Sequence, residues 1–134
     1  MEIGCNIGGN LEWIINYFPN VKKYACDINQ VEQAQKLFPE FEIKESSICG
    51  LPYEDKSIDI LIVDMVLYLF SDMDIEVAIG ECKRVAKKAI IISDMNQERF
   101  NNYIKKNNDL EVIDWRKGIP DLEPDNRFVF TILL

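Results

Sequence analysis

The residues best suited to chemistry in this sequence are acids and glycines placed at the ends of apolar runs. Gly4 and the pair Gly8-Gly9 fall between β-like residues and a helical pattern. Glycine lets a backbone turn sharply and approach a ligand closely, and the helix behind it offers free N–H groups. Glu2 stands two residues before the first glycine. Asp27 closes the next β-rich run about 20 residues on, the separation at which an acid holds ribose hydroxyls in nucleotide-binding folds. The glycines alone fit a plain strand-to-helix turn equally well; the two acids turn the reading toward a nucleotide-like ligand. Asp64 and Asp94 close two later apolar runs. Asp94 reads as a helix cap, whereas Asp64 fits a cap and a catalytic position equally.

These residues need elements to hold them. Glu2-Ile3 reads as the tail of a strand, followed by a Gly/Asn loop over 4–10. Leu11, Ile14, Ile15 and Phe18 recur at helical spacing and stop at Pro19. Residues 23–28 predict a strand. Val31, Ala34, Leu37 and Phe38 predict a helix, and 41–43 a brief strand. A loop over 46–57 leads into 58–63, a strand apolar enough to be buried on both faces. Ile75, Ala78, Ile79, Cys82, Val85 and Ala86 form a helical stripe capped by Ser71 or Asp72. Residues 89–92 read as a further strand, and Phe100, Tyr103 and Ile104 as a helix. The runs 110–115 and 127–134 are two strands with no helix between them, a naturally antiparallel pair. The fold class is therefore α/β, doubly wound, with a mostly parallel sheet, an antiparallel C-terminal strand pair and a short first strand. Ligands bind such sheets at the carboxyl ends of the strands, where strand order reverses.

In that frame Glu2-Ile-Gly-Cys-Asn-Ile-Gly-Gly9 resembles motif I of the class I, Rossmann-like S-adenosylmethionine-dependent methyltransferases, an acid followed by G-x-G-x-G. Asp27-Ile28 resembles their ribose contact. The run SSICGLPYEDKSID at 46–59 is similar to the family stretch G-D-a-x-x-L-P-F-x-D-x-S-F-D, and Val66-Leu67-Tyr68 to the apolar segment past the fourth strand. The likeness is to the methyltransferase type 11 group. Within it, GCNIGGNL and the aromatic-rich last strand look most like the pseudaminic acid biosynthesis-associated methylases. The resemblance covers nearly the whole chain and implies S-adenosyl-L-methionine as cofactor. Gly4, Cys5, Asn6 and Gly8 would line its methionine and ribose side, and Glu2 would orient that loop or the methionine amino group. Asp27 would accept from both ribose hydroxyls. Ile28 and Ile48, with Ser47, would flank the adenine. Asp64 would face the methyl group and the substrate, and Asp64 or Tyr68 would take the acceptor's proton. Asn6 replaces the middle glycine, Ser47 an aspartate common in relatives, and Tyr68 a common histidine. Relatives also carry a segment before the first strand that covers the cofactor. On that ground residues 1–134 are expected to form one methyltransferase core lacking its N-terminal segment, with weak binding and slow turnover.

Bulk properties narrow the alternatives. The 134 residues suffice for one domain, and with 48% hydrophobic residues a core can be built. The net charge of −8 argues against a nucleic-acid partner. No apolar run approaches the roughly 20 residues of a membrane span, and no secretory signal opens the chain. The expectation is a cytoplasmic protein acting on a small molecule, with no membrane partner and its oligomeric state open. With no histidine and no C-x-x-C pair, no metal site is expected, and the four cysteines read as reduced core residues. Trp13 and Trp115 read as packing residues, and Asp121, Glu123 and Asp125 as a solvated turn. Two competing functions remain. A nicotinamide-dependent oxidoreductase would need G-x-G-x-x-G, where this chain has G-x-x-x-G-G. A non-catalytic nucleotide-binding remnant or scaffold would fit the short first strand.

Overall fold

The computed structural model describes residues 1–95, 97–107, 111–114 and 128–134. The predicted roles of Trp115 and of Asp121, Glu123 and Asp125 lie outside the described residues. In chain order the elements are β1 (Glu2–Ile3), α1 (Leu11–Tyr17), β2 (Lys23–Asp27), α2 (Val31–Leu37), β3 (Phe41–Glu45), β4 (Ile58–Asp64), a 3-10 turn (Leu67–Leu69), α3 (Asp72–Val85), β5 (Ala86–Asp94), α4 (Gln97–Lys106), β6 (Glu111–Asp114) and β7 (Phe128–Leu133).

The strands form one sheet in the order β3-β2-β1-β4-β5-β7-β6. β1 through β5 pair in parallel, and β7 runs antiparallel to both β5 and β6. This is the expected doubly wound sheet with its antiparallel end. Strand order reverses between β1 and β4, because the chain first builds outward to β3 and then returns to the other side of β1.

Side chains alternate faces along a strand, so the sheet divides two cores. Ala25 joins Leu11, Ala34, Phe41 and Ile43 beneath α1 and α2. Its neighbour Cys26 joins Leu61, Val63, Ile79, Ile90 and Phe100 on the opposite side, with α3 and α4. Cys5, Cys26 and Cys82 are buried and all four cysteines are free. Ser71 caps α3 by accepting the Asp74 N–H.

Three expectations need correction. Strand β4 is not buried on both faces: no β4 residue enters the core under α1 and α2, and Ile60 is left 43% exposed. Phe18 and Leu37, placed on apolar stripes, are exposed. Helices α1 and α2 are only seven residues long, and Phe18 lies off the helical path at φ −131°, ψ 61°. The strand expected at 89–92 is longer, because Ala86, assigned to the helix, already has extended backbone. Among the described residues, no helix is long and apolar enough to cross a membrane.

Candidate functional site

The loops after β1, β2, β3 and β4 surround one cavity of about 450 Å³ at the reversal of strand order. That volume lies within the range of small-molecule sites, about 300–1,000 Å³. Gly4 and Asn6 line it from the first loop, Ile28 and Asn29 from the second, Ser47 and Ile48 from the third, and Met65, Val66 and Tyr68 from the fourth.

The first loop is held from several sides. The N–H groups of Gly4 and Cys5 both donate to Cys26 O, at 2.8 and 3.1 Å. Asn6 takes left-handed backbone, φ 48°, which asparagine tolerates better than most residues. Its N–H then donates to Asp27 Oδ2 at 2.8 Å. Gly4 has φ 75°, and a Cβ there would sit 2.4 Å from Val66 Cγ2. The glycine thus lets the loop after β4 close down on the loop after β1. Gly8 has a different reason: at φ 100° its missing Cβ makes room for the Phe38 ring, 2.2 Å from where that atom would be. Of the predicted site residues, Gly8, the buried Cys5, Glu2 and Asp64 do not line the cavity.

Asp27 ends β2 with both carboxylate oxygens engaged, Oδ2 by Asn6 N–H and Oδ1 by Asn29 N–H at 2.8 Å. Each oxygen keeps further acceptor capacity for a ligand hydroxyl. Ile28, next in sequence, is largely exposed on the cavity wall, and the buried Ile48 lines the same cavity from the third loop. Ser47 Oγ accepts the Cys49 N–H.

Glu2 and Asp64 lie on one face of the sheet. Glu2 pairs with Ile62, and Asp64 is two residues further along β4. Asn10, at the start of α1, reaches both: its Nδ2 donates to Glu2 Oε1 at 2.8 Å and to Asp64 Oδ2 at 3.0 Å. Glu2 is 2% exposed, and among the described residues its Oε2 has no hydrogen-bond partner. Burial pushes its carboxyl up to about 7, aided by the nearby Asp64 and opposed by the Asn10 bond.

The loop after β4 turns at Met65, left-handed at φ 53°, and runs into the 3-10 turn. Asp94, fully buried at the end of β5, holds it: Oδ2 accepts the N–H groups of Val66, Leu67 and Tyr68, and Oδ1 that of Met95. Burial raises the Asp94 carboxyl above the ordinary range, against four amides that favour the anion. Asp94 does cap, but the turn after β4 is among what it caps, and this shapes the cavity. Tyr68 stands half-exposed at the rim.

Sequence reasoning missed Asn10 and this bearing of Asp94. An asparagine before a helix reads as a local cap, and nothing in the sequence says that its amide reaches two strands.

Comparison with known proteins places this geometry. Residues 1–92 match the family model described as a methyltransferase domain, more than half of the chain, and the chain belongs to that family. The fold is that of S-adenosylmethionine-dependent methyltransferases. No curated protein matches the sequence. Similar solved structures include the CurJ carbon methyltransferase, with a TM-score of 0.76 and 15% identity over 98% of this chain and 47% of that one. A SAM-dependent methyltransferase from Aquifex aeolicus gives 0.73 and 18% over 98% and 78%. Magnesium protoporphyrin IX methyltransferase from Synechocystis PCC 6803, solved with bound SAM, gives 0.72 and 15% over 98% and 67%. The chain spans about half the length of the first. At these identities the likeness shows the fold. The residues lining the cavity fit the expected S-adenosyl-L-methionine: a glycine whose Cβ would collide with Val66, and an acid with spare acceptors beside an exposed isoleucine.

Proposed function

We propose that this chain transfers a methyl group to a nucleophilic atom of a small molecule, with a sugar or sugar nucleotide as the acceptor class. The carrying observation is that the ends of β1, β2 and β4 bring Gly4, Asp27 and the Met65–Val66 loop around one cavity, with Asp64 ending β4 one residue before that loop. S-adenosylmethionine supplies an electrophilic methyl group on a sulfonium, so the protein needs mainly to orient the partners and exclude water. Asp27 would accept the ribose hydroxyls on its two remaining lone-pair directions. Ile28 and Ile48 would flank the adenine, with Ser47 at its edge, and Gly4 and Asn6 would line the methionine and ribose side. Cys5 and Gly8 would support that loop from below, and Glu2 would fix its far end through Asn10. Asp64, or the Tyr68 phenol at the rim, would take the proton that an acceptor hydroxyl releases. For the acceptor, the support is the resemblance of residues 4–11 to pseudaminic acid biosynthesis-associated methylases, together with the half-exposed Tyr68 ring, a platform suited to the C–H face of a sugar.

Isothermal titration with S-adenosylmethionine, S-adenosylhomocysteine and NAD tests the first step. Binding of the sulfonium and its product, with none of NAD, is expected; tight NAD binding alone would overturn the reading. Transfer of labelled methyl to sugars and sugar nucleotides then tests the acceptor. Cofactor binding with no transfer to any acceptor would favour a non-catalytic binding domain.

A further inference from the structure

Asn10 occupies the N-cap position of α1, where an asparagine side chain ordinarily accepts an N–H of the first turn. Here it makes no such bond. Its Nδ2 donates instead to Glu2 Oε1 at 2.8 Å and to Asp64 Oδ2 at 3.0 Å. Two carboxylate acceptors fix the orientation of the amide, because the flipped carbonyl would face both oxygens. Both amide hydrogens are used, and the strands they join, β1 and β4, are the neighbours at the reversal of strand order. The loop over 4–10 is thereby fastened at its start to Cys26 O, in its middle to Asp27 and at its end to β4. Among the described residues, no hydrogen bond is made to Asp64 Oδ1.

We infer that Asn10 is a positioning residue: its amide ties the end of the first loop to β4 and holds the Asp64 carboxylate one residue before Met65, which lines the cavity. The inference rests on the methyl-transfer reading only for the task it gives Asp64. An asparagine that merely satisfied the buried Glu2 would need one hydrogen bond, not two. A bracket of this kind costs no reorganisation when a ligand arrives, because the loop is already held in place.

The test uses the full chain labelled with 15N. The two Asn10 Nδ2 protons are expected downfield of free side-chain amides and slow to exchange. Asp64→Ala should return one of them to the free position while the other, on Glu2, stays. Signals indifferent to Asp64→Ala would overturn the inference. The second arm is a double-mutant cycle on S-adenosylmethionine affinity. Asn10→Ser keeps a good capping residue, so the helix retains its start, but the short hydroxyl cannot reach both carboxylates. It should weaken binding about tenfold in the wild-type background and less than about twofold in Asp64→Ala, the non-additivity of two residues acting together. Equal losses in both backgrounds, or none in either, would also overturn it. If the wild-type chain failed to bind S-adenosylmethionine at all, the methyl-transfer reading would fall, and the amide signals would still decide whether the bracket exists.

Discussion

Asp27 carries two tasks at one position. It accepts the Asn6 and Asn29 N–H groups, which sets the shape of two loops, and it leaves acceptor capacity toward the cavity. Both amide bonds are solvent-exposed, so water can replace the carboxylate there at small cost. A bound ribose offers no such substitute. Asp27→Ala is therefore expected to weaken S-adenosylmethionine binding by at least about 1.5 kcal/mol, the lower end for hydrogen bonds to a charged acceptor. The melting temperature without ligand should fall only slightly. Titration and a thermal melt of the same variant check both halves. Unchanged affinity with a much earlier melt would make Asp27 a structural residue.

At the scale of elements, the site depends on loops packed onto helices too short to stand alone, since isolated helices of seven residues are marginal in water. Phe38, just past α2, meets Phe41 edge-on and fills the space that Gly8 leaves open. Gly8 thus ties the first loop to α2. Gly8→Ala would place a methyl inside the Phe38 ring and force a side chain into left-handed backbone. Overpacking costs about 1–3 kcal/mol and the backbone strain about 1–2 more, so a loss of at least about 2 kcal/mol is expected in denaturant unfolding. The double variant Gly8→Ala/Phe38→Leu should recover part of it. An unaltered midpoint in the single variant would mean that loop and helix are not packed together.

For the whole molecule, the buried Glu2 links stability to pH. Its carboxyl stands at about 7 in the fold, against an ordinary 4.5. The folded state therefore binds this proton more tightly than the unfolded state does. The stabilisation is complete below about pH 4.5 and is lost as pH rises through about 7. Glu2→Gln keeps an acceptor for Asn10 and removes the ionisation. Its stability relative to wild type should climb between about pH 4.5 and 7 and then level off, with a total rise of about 3 kcal/mol for a shift of this size. Taking the difference between the two proteins cancels the other carboxyls, Asp94 included. Melts across that range would show a flat difference if Glu2 were ionised throughout.

The order of elements and the class of sheet were legible in the sequence because they follow from local periodicity. Apolar runs at the spacing of strands alternate with stripes at the spacing of helices, and glycines, prolines and acids mark the junctions. The positions of Gly4, Asp27 and Asp64 at strand ends were legible for the same reason. Tertiary structure decided what each residue does there. Gly4 and Gly8 look alike in a motif, yet one admits Val66 beside the cavity and the other admits Phe38 beneath it. Ile60 sits in a run apolar enough for double burial and is left exposed, because coverage of a sheet face depends on where the helices cross. Asp94 reaches back to the turn after β4, and Asn10 reaches forward to Asp64, 54 residues away. Period and propensity act over a few residues, whereas hydrogen bonds between strand ends exist only once strand order has brought those ends together.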